Sequence, residues 1–397
     1  MRVAVRARPL VGRELYESQQ RTCVEADEDN HKIQISDKSF QFDRVFSARA
    51  SQADIFEVCG RNLVLGCFAG YNATILAYGQ TGSGKTHTMG TGSTGGLADD
   101  QVGLVPRVFA FIFEELERRK RQASLAEFVI KVSFLELYNE ELHDLLDPAA
   151  DRQSAKAPKE LQIKEKNGSI YVQGLKEEPV ASQEECLMLL NRGIAHRTTS
   201  ATLMNEGSSR SHAVFTVGIE QRVVRAVEVE AALPEGADAQ QEEQITAKFH
   251  FVDLAGSERI KKTGATGQLM KEGISINKGL LCLGNVIAAL TEETKKSAHI
   301  PYRDSKLTRI LQDSLGGNSR TCMIACVSPA ESNYEETLNS IKYASRARNI
   351  KNKPVVNRDP NSLLIDSLRT QISGLQGEIR EYQEVLRQHN IDLPENF

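Results

Sequence analysis

Eight consecutive residues, Gly79-Gln80-Thr81-Gly82-Ser83-Gly84-Lys85-Thr86, follow directly on the apolar run 73–78 and have the Gly-x4-Gly-Lys-Thr spacing of a phosphate loop. Glycines at these places let the backbone wrap closely with its N–H groups turned inward, toward phosphate oxygens. Lys85 supplies a cation to the terminal phosphates and Thr86 a hydroxyl to Mg2+. A second apolar run, 248–252, ends on Asp253 and leads into Leu254-Ala255-Gly256-Ser257-Glu258. A carboxylate at the end of such a strand holds the metal, often through water, and the Gly256 N–H is placed for the γ-phosphate. A third segment, Asn205-Glu206-Gly207-Ser208-Ser209-Arg210-Ser211-His212, gathers hydroxyls and one arginine just before the run 213–219. Ser208 and Ser209 read as contacts to the γ-phosphate and the metal, and Arg210 as a partner for Glu258 across the site. Alone, this segment reads more readily as an ordinary polar loop. The chemistry of the three together is phosphoryl transfer, which needs positioning and charge stabilisation more than covalent help.

Groups so far apart in the chain must be brought together by a sheet. The runs 3–6, 73–78, 128–137, 213–219, 248–252 and 321–327 read as strands, and 52–65, 104–117, 182–192, 275–290 and 305–315 carry apolar residues at helical spacing. Their alternation predicts an α/β sheet covered by helices on both faces. Segments 147–159 and 228–244 read as polar loops, the second an acidic surface loop or hairpin tip. After residue 350 the composition shifts: 351–362 contains Pro354 and Pro360 and reads as an extended linker. Beyond it, Ile365, Ile372, Ile379 and Leu386 fit one heptad core position and Leu368, Leu375 and Tyr382 the other. Gly374 and Gly377 weaken this seam, His389 falls on it and Pro394 stops it. A short coiled coil and a single amphipathic helix both fit the pattern.

In a chain of 397 residues, 40% of them apolar, there is enough material for a sizeable core. The net charge of −4 predicts no polyanionic partner, so any such partner must be met by a local basic patch. Two segments qualify: Arg259, Lys261 and Lys262 with Lys271, and the stretch from His299 through Arg303 and Lys306 to Arg309. The residues alone leave an acidic protein partner, nucleic acid and a solvated charge run open. Seven cysteines without a C-x-x-C pair read as reduced thiols rather than zinc ligands. Neither a signal segment at Met1 nor an apolar run of membrane-spanning length is present, so the sequence reads as cytosolic.

GQTGSGKT, NEGSSRSH and DLAGSE stand in an order and spacing that resemble the kinesin superfamily, and the resemblance covers 2–350. It implies an α/β P-loop NTPase-type motor: a central mixed eight-stranded sheet with helices on both faces, followed by a neck linker and a short coiled-coil-like helix. The implied divisions are a motor domain at 1–350, a neck linker at 351–362 and a neck helix at 363–390. ATP and Mg2+ are the implied ligands. Residues 205–212 look like switch I and 253–258 like switch II. Thr86 and Ser209, with Asp253 through water, would form the metal shell. Arg210 and Glu258 would form a gating pair that positions lytic water, with Gly256 and Ser208 at the γ-phosphate. Gln80, Thr81, Gly82, Ser83, Gly84, Lys85, Thr86 and His87 would hold nucleotide, and Arg6, Arg8 and Pro9 look like the base motif, with Tyr78 nearby.

The same resemblance makes Arg259, Lys261, Lys262, Lys271, His299, Arg303, Lys306 and Arg309 microtubule contacts, and makes tubulin rather than nucleic acid the partner. Residues 271–281 and 351–357 look most like the kinesin-4 family. A motor that precedes its linker implies plus-end direction, and a homodimer through the neck helix is the implied assembly. One departure is that Met1 lies two residues before Val3, where kinesins carry a further segment that pairs with the docked linker. Weaker docking and low force are therefore expected, as is a fragment without cargo-binding regions. The expected function is a microtubule-stimulated ATPase motor on the cytoskeleton, with a weakly motile regulator of microtubule growth as the alternative. An inactive binding module is disfavoured by intact Lys85, Thr86, Ser209, Arg210, Asp253, Gly256 and Glu258. A GTPase is disfavoured because Asn352-Lys353 is followed by Pro354 and Val355 rather than completing a guanine reader.

Overall fold

The computed structural model describes residues 1–12, 14–17, 21–92, 98–122, 127–147, 160–166, 168–202, 209–226, 240–259, 268–292, 299–358 and 360–389. Its centre is one mixed sheet, whose main path runs Glu178–Val180, Glu127–Tyr138, His212–Ala226, Gln240–Asp253, Ala73–Tyr78, Arg320–Val327, Arg2–Ala7, Arg44–Phe46. These eight strands are the expected number. Two short strands, Glu141–Asp144 and Asn357–Arg358, add to the edges of Glu127–Tyr138 and Gln240–Asp253. Ala73–Tyr78 lies parallel to both of its neighbours, whereas Glu127–Tyr138, His212–Ala226 and Gln240–Asp253 are mutually antiparallel where they pair.

Ala73–Tyr78 is buried along its whole length, which is why it reads as a continuous apolar run rather than an alternating one. Its side chains divide between two cores by strand alternation. Ile75 and Ala77 join Phe249, Phe251 and the helices Arg61–Phe68, Leu104–Arg121 and Gln183–Thr202 on one face. Leu76 and Tyr78 join Val252, Met323 and the helices Gln268–Thr291 and Tyr334–Ala347 on the other.

Several elements differ from the sequence reading. The strands His212–Ala226 and Gln240–Asp253 are about two and three times as long as their apolar runs, because a backbone ladder continues out to the Ala226 and Gln240 pair. The acidic loop therefore gives up 240–244 to a strand, and the rest of it, like 148–159 of the other loop, lies outside the described residues. The 52–65 run is helical but passes through a π-turn at Phe56–Gly60. The 305–315 run forms a helix only over Lys306–Ile310, capped by Ser305. Leu307, Leu311 and Leu315 are nevertheless all buried, the last two on turns.

Beyond residue 350 the chain stays on the domain before it turns helical. Asn352 Oδ1 accepts the Gly316 N–H at 2.9 Å, and its amide donates to Ser314 O, Ser319 O and Thr321 Oγ1 at 3.0, 2.7 and 2.9 Å. The Asn357 amide and backbone N–H both donate to Gly70 O at 2.8 Å. The final helix is Pro360–Gln388, beginning before the expected 363. Proline is tolerated in a first turn because its missing N–H has no intrahelical partner there. Leu364, Leu368, Ile372, Leu375, Ile379 and Tyr382 are all exposed along it.

Candidate active site

The phosphate loop leaves the end of Ala73–Tyr78 and enters the helix Lys85–Met89. Gly82 and Gly84 have φ of 75° and 98°, a left-handed backbone that strains side chains with a β-carbon. At Gly79 the backbone passes so close to the Cys326 carbonyl that a β-carbon has no room. Lys85 Nζ turns back onto the loop, donating to Gly79 O at 2.9 Å and Gln80 O at 3.0 Å. Burial lowers the pKa of this ammonium, and the nearby Asp253 and Glu258 carboxylates oppose the shift. A buried cation satisfied by loop carbonyls stands ready to exchange them for phosphate oxygens. Gln80 Oε1 and Ser83 Oγ are buried without hydrogen-bond partners among the described residues.

Asp253 pairs with Ala77 in parallel register, which places the second strand's carboxylate beside the loop. It is 2% exposed. Its Oδ2 accepts from Thr86 Oγ1 at 2.8 Å and Thr91 Oγ1 at 3.3 Å, and lies 3.5 Å from Arg197. Its Oδ1 has no hydrogen-bond partner among the described residues. An orphaned buried carboxylate oxygen beside a threonine hydroxyl is a hard, all-oxygen donor set, and it fits Mg2+.

The segment after Asp253 closes against the loop. Gly256 N donates to Ser209 O at 2.9 Å and Ser257 N to Gly79 O at 3.2 Å. Both Glu258 carboxylate oxygens accept from Thr81, from its N–H at 2.8 Å and its hydroxyl at 2.5 Å. The expected Arg210 partner is thus replaced here by the loop itself, and a loop N–H donates to an anion. Ser208 lies outside the described residues, whereas Ser209 and Arg210 are half-buried at the start of His212–Ala226.

A cleft of about 50 Å³ opens beside the loop, lined by Arg6, Arg8, Pro9, Ser83, Gly84 and His87. Arg8 is held in it by two 2.6 Å bonds to Glu14 and one of 2.6 Å to Gly82 O. The Arg8 guanidinium also depresses the pKa of Glu14. Arg6 donates to Gln52 and Thr88 at 2.9 and 2.8 Å, so it braces the cleft wall. Tyr78 does not join this cleft. Strand alternation turns its ring to the other face, where it stacks on Tyr343 at 4.2 Å.

Sequence reasoning passed over Arg197 and gave His212, the last residue of the 205–212 segment, no role of its own. Arg197 is 5% exposed and reaches Asp253, Glu136 at 3.7 Å and the Ser211 carbonyl at 2.9 Å. Arg197 lies beyond the helical run 182–192 read from the sequence, on the part of Gln183–Thr202 that the apolar spacing did not reveal. His212 Nδ1 accepts the Ala255 N–H at 3.0 Å. Burial, with the charges of Arg197 and Lys85, pushes its pKa down to about 3.

Of the basic residues, Arg259, His299, Arg303 and Lys306 are exposed, Arg309 is half-buried, and Lys271 lies on Gln268–Thr291. Lys261 and Lys262 lie outside the described residues. The helices Gln268–Thr291 and Lys306–Ile310 pack together on the face of the sheet that also carries Tyr334–Ala347.

A family model described as kinesin motor domain matches residues 6–350. The chain is 49% identical over 397 residues to the kinesin-like protein KIF21B of Mus musculus, covering 96% of this chain and 24% of that protein. It is 49% identical over 401 residues to KIN-4A of Arabidopsis thaliana, covering 96% and 38%. It is 47% identical over 377 residues to the chromosome-associated kinesin KIF4 of Xenopus laevis, covering 95% and 29%. KIN-4A and KIF4 are kinesin-4 proteins, in keeping with the sequence resemblance. The chain thus spans about a quarter to two-fifths of the length of these curated relatives. A solved structure of a fast kinesin, described for its ATPase mechanism and interactions with microtubules, aligns with a TM-score of 0.75 at 40% identity, over 91% of this chain and 94% of that one.

Proposed function

Because this chain belongs to the kinesin motor domain family, whose members bind nucleotide with Mg2+ and are microtubule-stimulated ATPases, we propose that it is itself a microtubule-stimulated ATP hydrolase that moves toward plus ends. The observation that carries the reading is the cluster at the end of Ala73–Tyr78: buried Lys85 on the loop carbonyls, and Thr86 on an Asp253 whose second oxygen is unclaimed. Thr86, Ser209 and, through water, Asp253 hold Mg2+, which when bound neutralises charge on the phosphates. Gln80, Thr81, Gly82, Ser83, Gly84 and Lys85 cradle the phosphates, while Arg6, Arg8, Pro9 and His87 frame the base. In the hydrolytic state Glu258 leaves Thr81 for Arg210, which frees a loop N–H and brings Ser208 and Gly256 to the γ-phosphate. Glu258 is half-buried and both of its present bonds are to one residue, so the exchange moves a side chain rather than a fold.

Arg259, Lys261, Lys262, Lys271, His299, Arg303, Lys306 and Arg309 form the tubulin-facing surface. Residues 351–362 act as a neck linker, a reading supported by the bonds of Asn352 to the Gly316 N–H and of Asn357 to Gly70 O, and the exposed seam of Pro360–Gln388 pairs with a second copy. Burying that seam favours a two-stranded coil, which sedimentation at rising concentration checks. Steady-state ATP turnover with and without stabilised microtubules, for the parent and for Lys85→Ala and Arg210→Ala, tests the main reading. Strong stimulation in the parent and its loss in both variants is expected. Microtubule binding without stimulation of the parent would reduce the chain to a binding module. Gliding assays with length tracking separate transport from restraint of growth, the second role open to a kinesin-4 motor.

A further inference from the structure

Between the strands Glu127–Tyr138 and Glu141–Asp144 the chain turns on two residues, Asn139 and Glu140, while Tyr138 pairs with Glu141. Both turn residues have positive φ, 50° and 61°, as a two-residue type I′ hairpin requires. Asparagine tolerates that region, but the usual second residue is glycine, and glutamate there carries a backbone cost that glycine avoids. The carboxylate makes a long-range contact that glycine could not. Glu140 Oε2 accepts the Lys306 N–H at 2.8 Å, across 166 residues of sequence. Lys306 is the first residue of Lys306–Ile310, and the Thr308 N–H of that helix is already taken by Ser305 Oγ at 3.1 Å.

Oε1 faces the other basic helix. A β-carbon at Gly279 of Gln268–Thr291 would lie 3.8 Å from Glu140 Oε1, 3.8 Å from His212 Nε2 and 3.8 Å from Leu307 Cδ2. His212 in turn holds the Ala255 N–H, two residues after Asp253. The metal-side strand end and both basic helices therefore come together around Gly279, where Glu140 bonds one helix and lies near the other.

We propose that Glu140 is a positioning residue for microtubule binding: its carboxylate, held out by a left-handed turn, fixes the start of Lys306–Ile310 against Gln268–Thr291. This rests on the motor reading above. Without the carboxylate, the exposed Lys306 N–H turns to water and the helix still forms, but its placement relaxes. Binding must then order it, so the loss falls on microtubule affinity rather than on turnover at saturation.

The test measures ATPase rate against microtubule concentration, together with urea unfolding, for the parent, Glu140→Gly and Glu140→Gln. Glycine suits the turn, so Glu140→Gly unfolds at an equal or higher urea concentration. Its half-saturating microtubule concentration rises about fivefold, the scale of one hydrogen bond, while the maximal rate stays within about twofold. Glutamine keeps a carbonyl acceptor for Lys306 and restores half-saturation to within about twofold of the parent. A stimulated parent with Glu140→Gly at the parental half-saturation overturns this assignment alone, as does a Glu140→Gln as impaired as Glu140→Gly. A parent that microtubules do not stimulate overturns the motor reading and this assignment together.

Discussion

Mild acid should weaken this domain through His212. The residue is 4% exposed, and its Nδ1 accepts the Ala255 N–H, so the folded protein holds the neutral ring with the proton on Nε2. Its pKa falls from 6.5 to about 3, first because burial disfavours the imidazolium and then because Arg197 and Lys85 repel it. The unfolded chain takes up the proton near pH 6.5 and the folded chain does not, so this contribution is fully present above pH 6.5 and is lost progressively as the pH falls toward 3. Integrating the linkage from pH 7 to pH 5 gives a loss of about 2 kcal/mol, on the way to about 5 kcal/mol at the low end. His212→Asn isolates the effect, because the asparagine carbonyl takes the same N–H without titrating. Urea unfolding of parent and variant at both pH values is the assay, and groups common to both cancel in the difference. The parent should lose about 2 kcal/mol more than the variant. Equal losses in the two proteins would refute the reasoning.

Arg197→Met removes the cation between Asp253 and Glu136, both buried. It should cost about 3–5 kcal/mol of unfolding free energy, because two carboxylates lose a buried partner; a urea midpoint implying under about 1 kcal/mol would contradict the pairing. Asn352→Ala deletes four hydrogen bonds that tie the segment after residue 350 to the turns around Gly316. Local opening should become easier by about 2 kcal/mol, read as roughly thirtyfold faster amide exchange at Lys353 and Val355 with helix amides elsewhere unchanged.

Where one local stretch carries both the element and its chemistry, the sequence was enough. The phosphate loop is such a case: the apolar run 73–78, three glycines, Lys85 and Thr86 are contiguous, and Gly82 and Gly84 answer a local backbone demand. Asp253 was legible for the same reason, as a carboxylate at the end of a buried strand. The alternation of strands and helices set the layered fold, since continuous apolar runs must be covered on both faces. Legibility failed where a partner comes from elsewhere in the chain. The polar ends of His212–Ala226 and Gln240–Asp253 are strands only because each offers the other a backbone ladder.

Arg197 lay beyond the helical run read from the sequence and His212 had no role of its own in the 205–212 segment, and only the packing of Gln183–Thr202 against the sheet brings the first to Asp253. Glu258 was read as the partner of Arg210 across the site, whereas in this structure it lies on Thr81, because the fold sets the distance between strand end and loop. Tyr78 was placed beside the base motif by the family resemblance, but strand alternation sends successive side chains to opposite faces and turns its ring onto Tyr343. The sequence by itself determined the nucleotide-binding chemistry and the layering, because short-range sterics and periodicity encode both. Only the tertiary structure decided which charges neutralise one another and which turn holds the basic helices, because those depend on groups separated by tens to hundreds of residues.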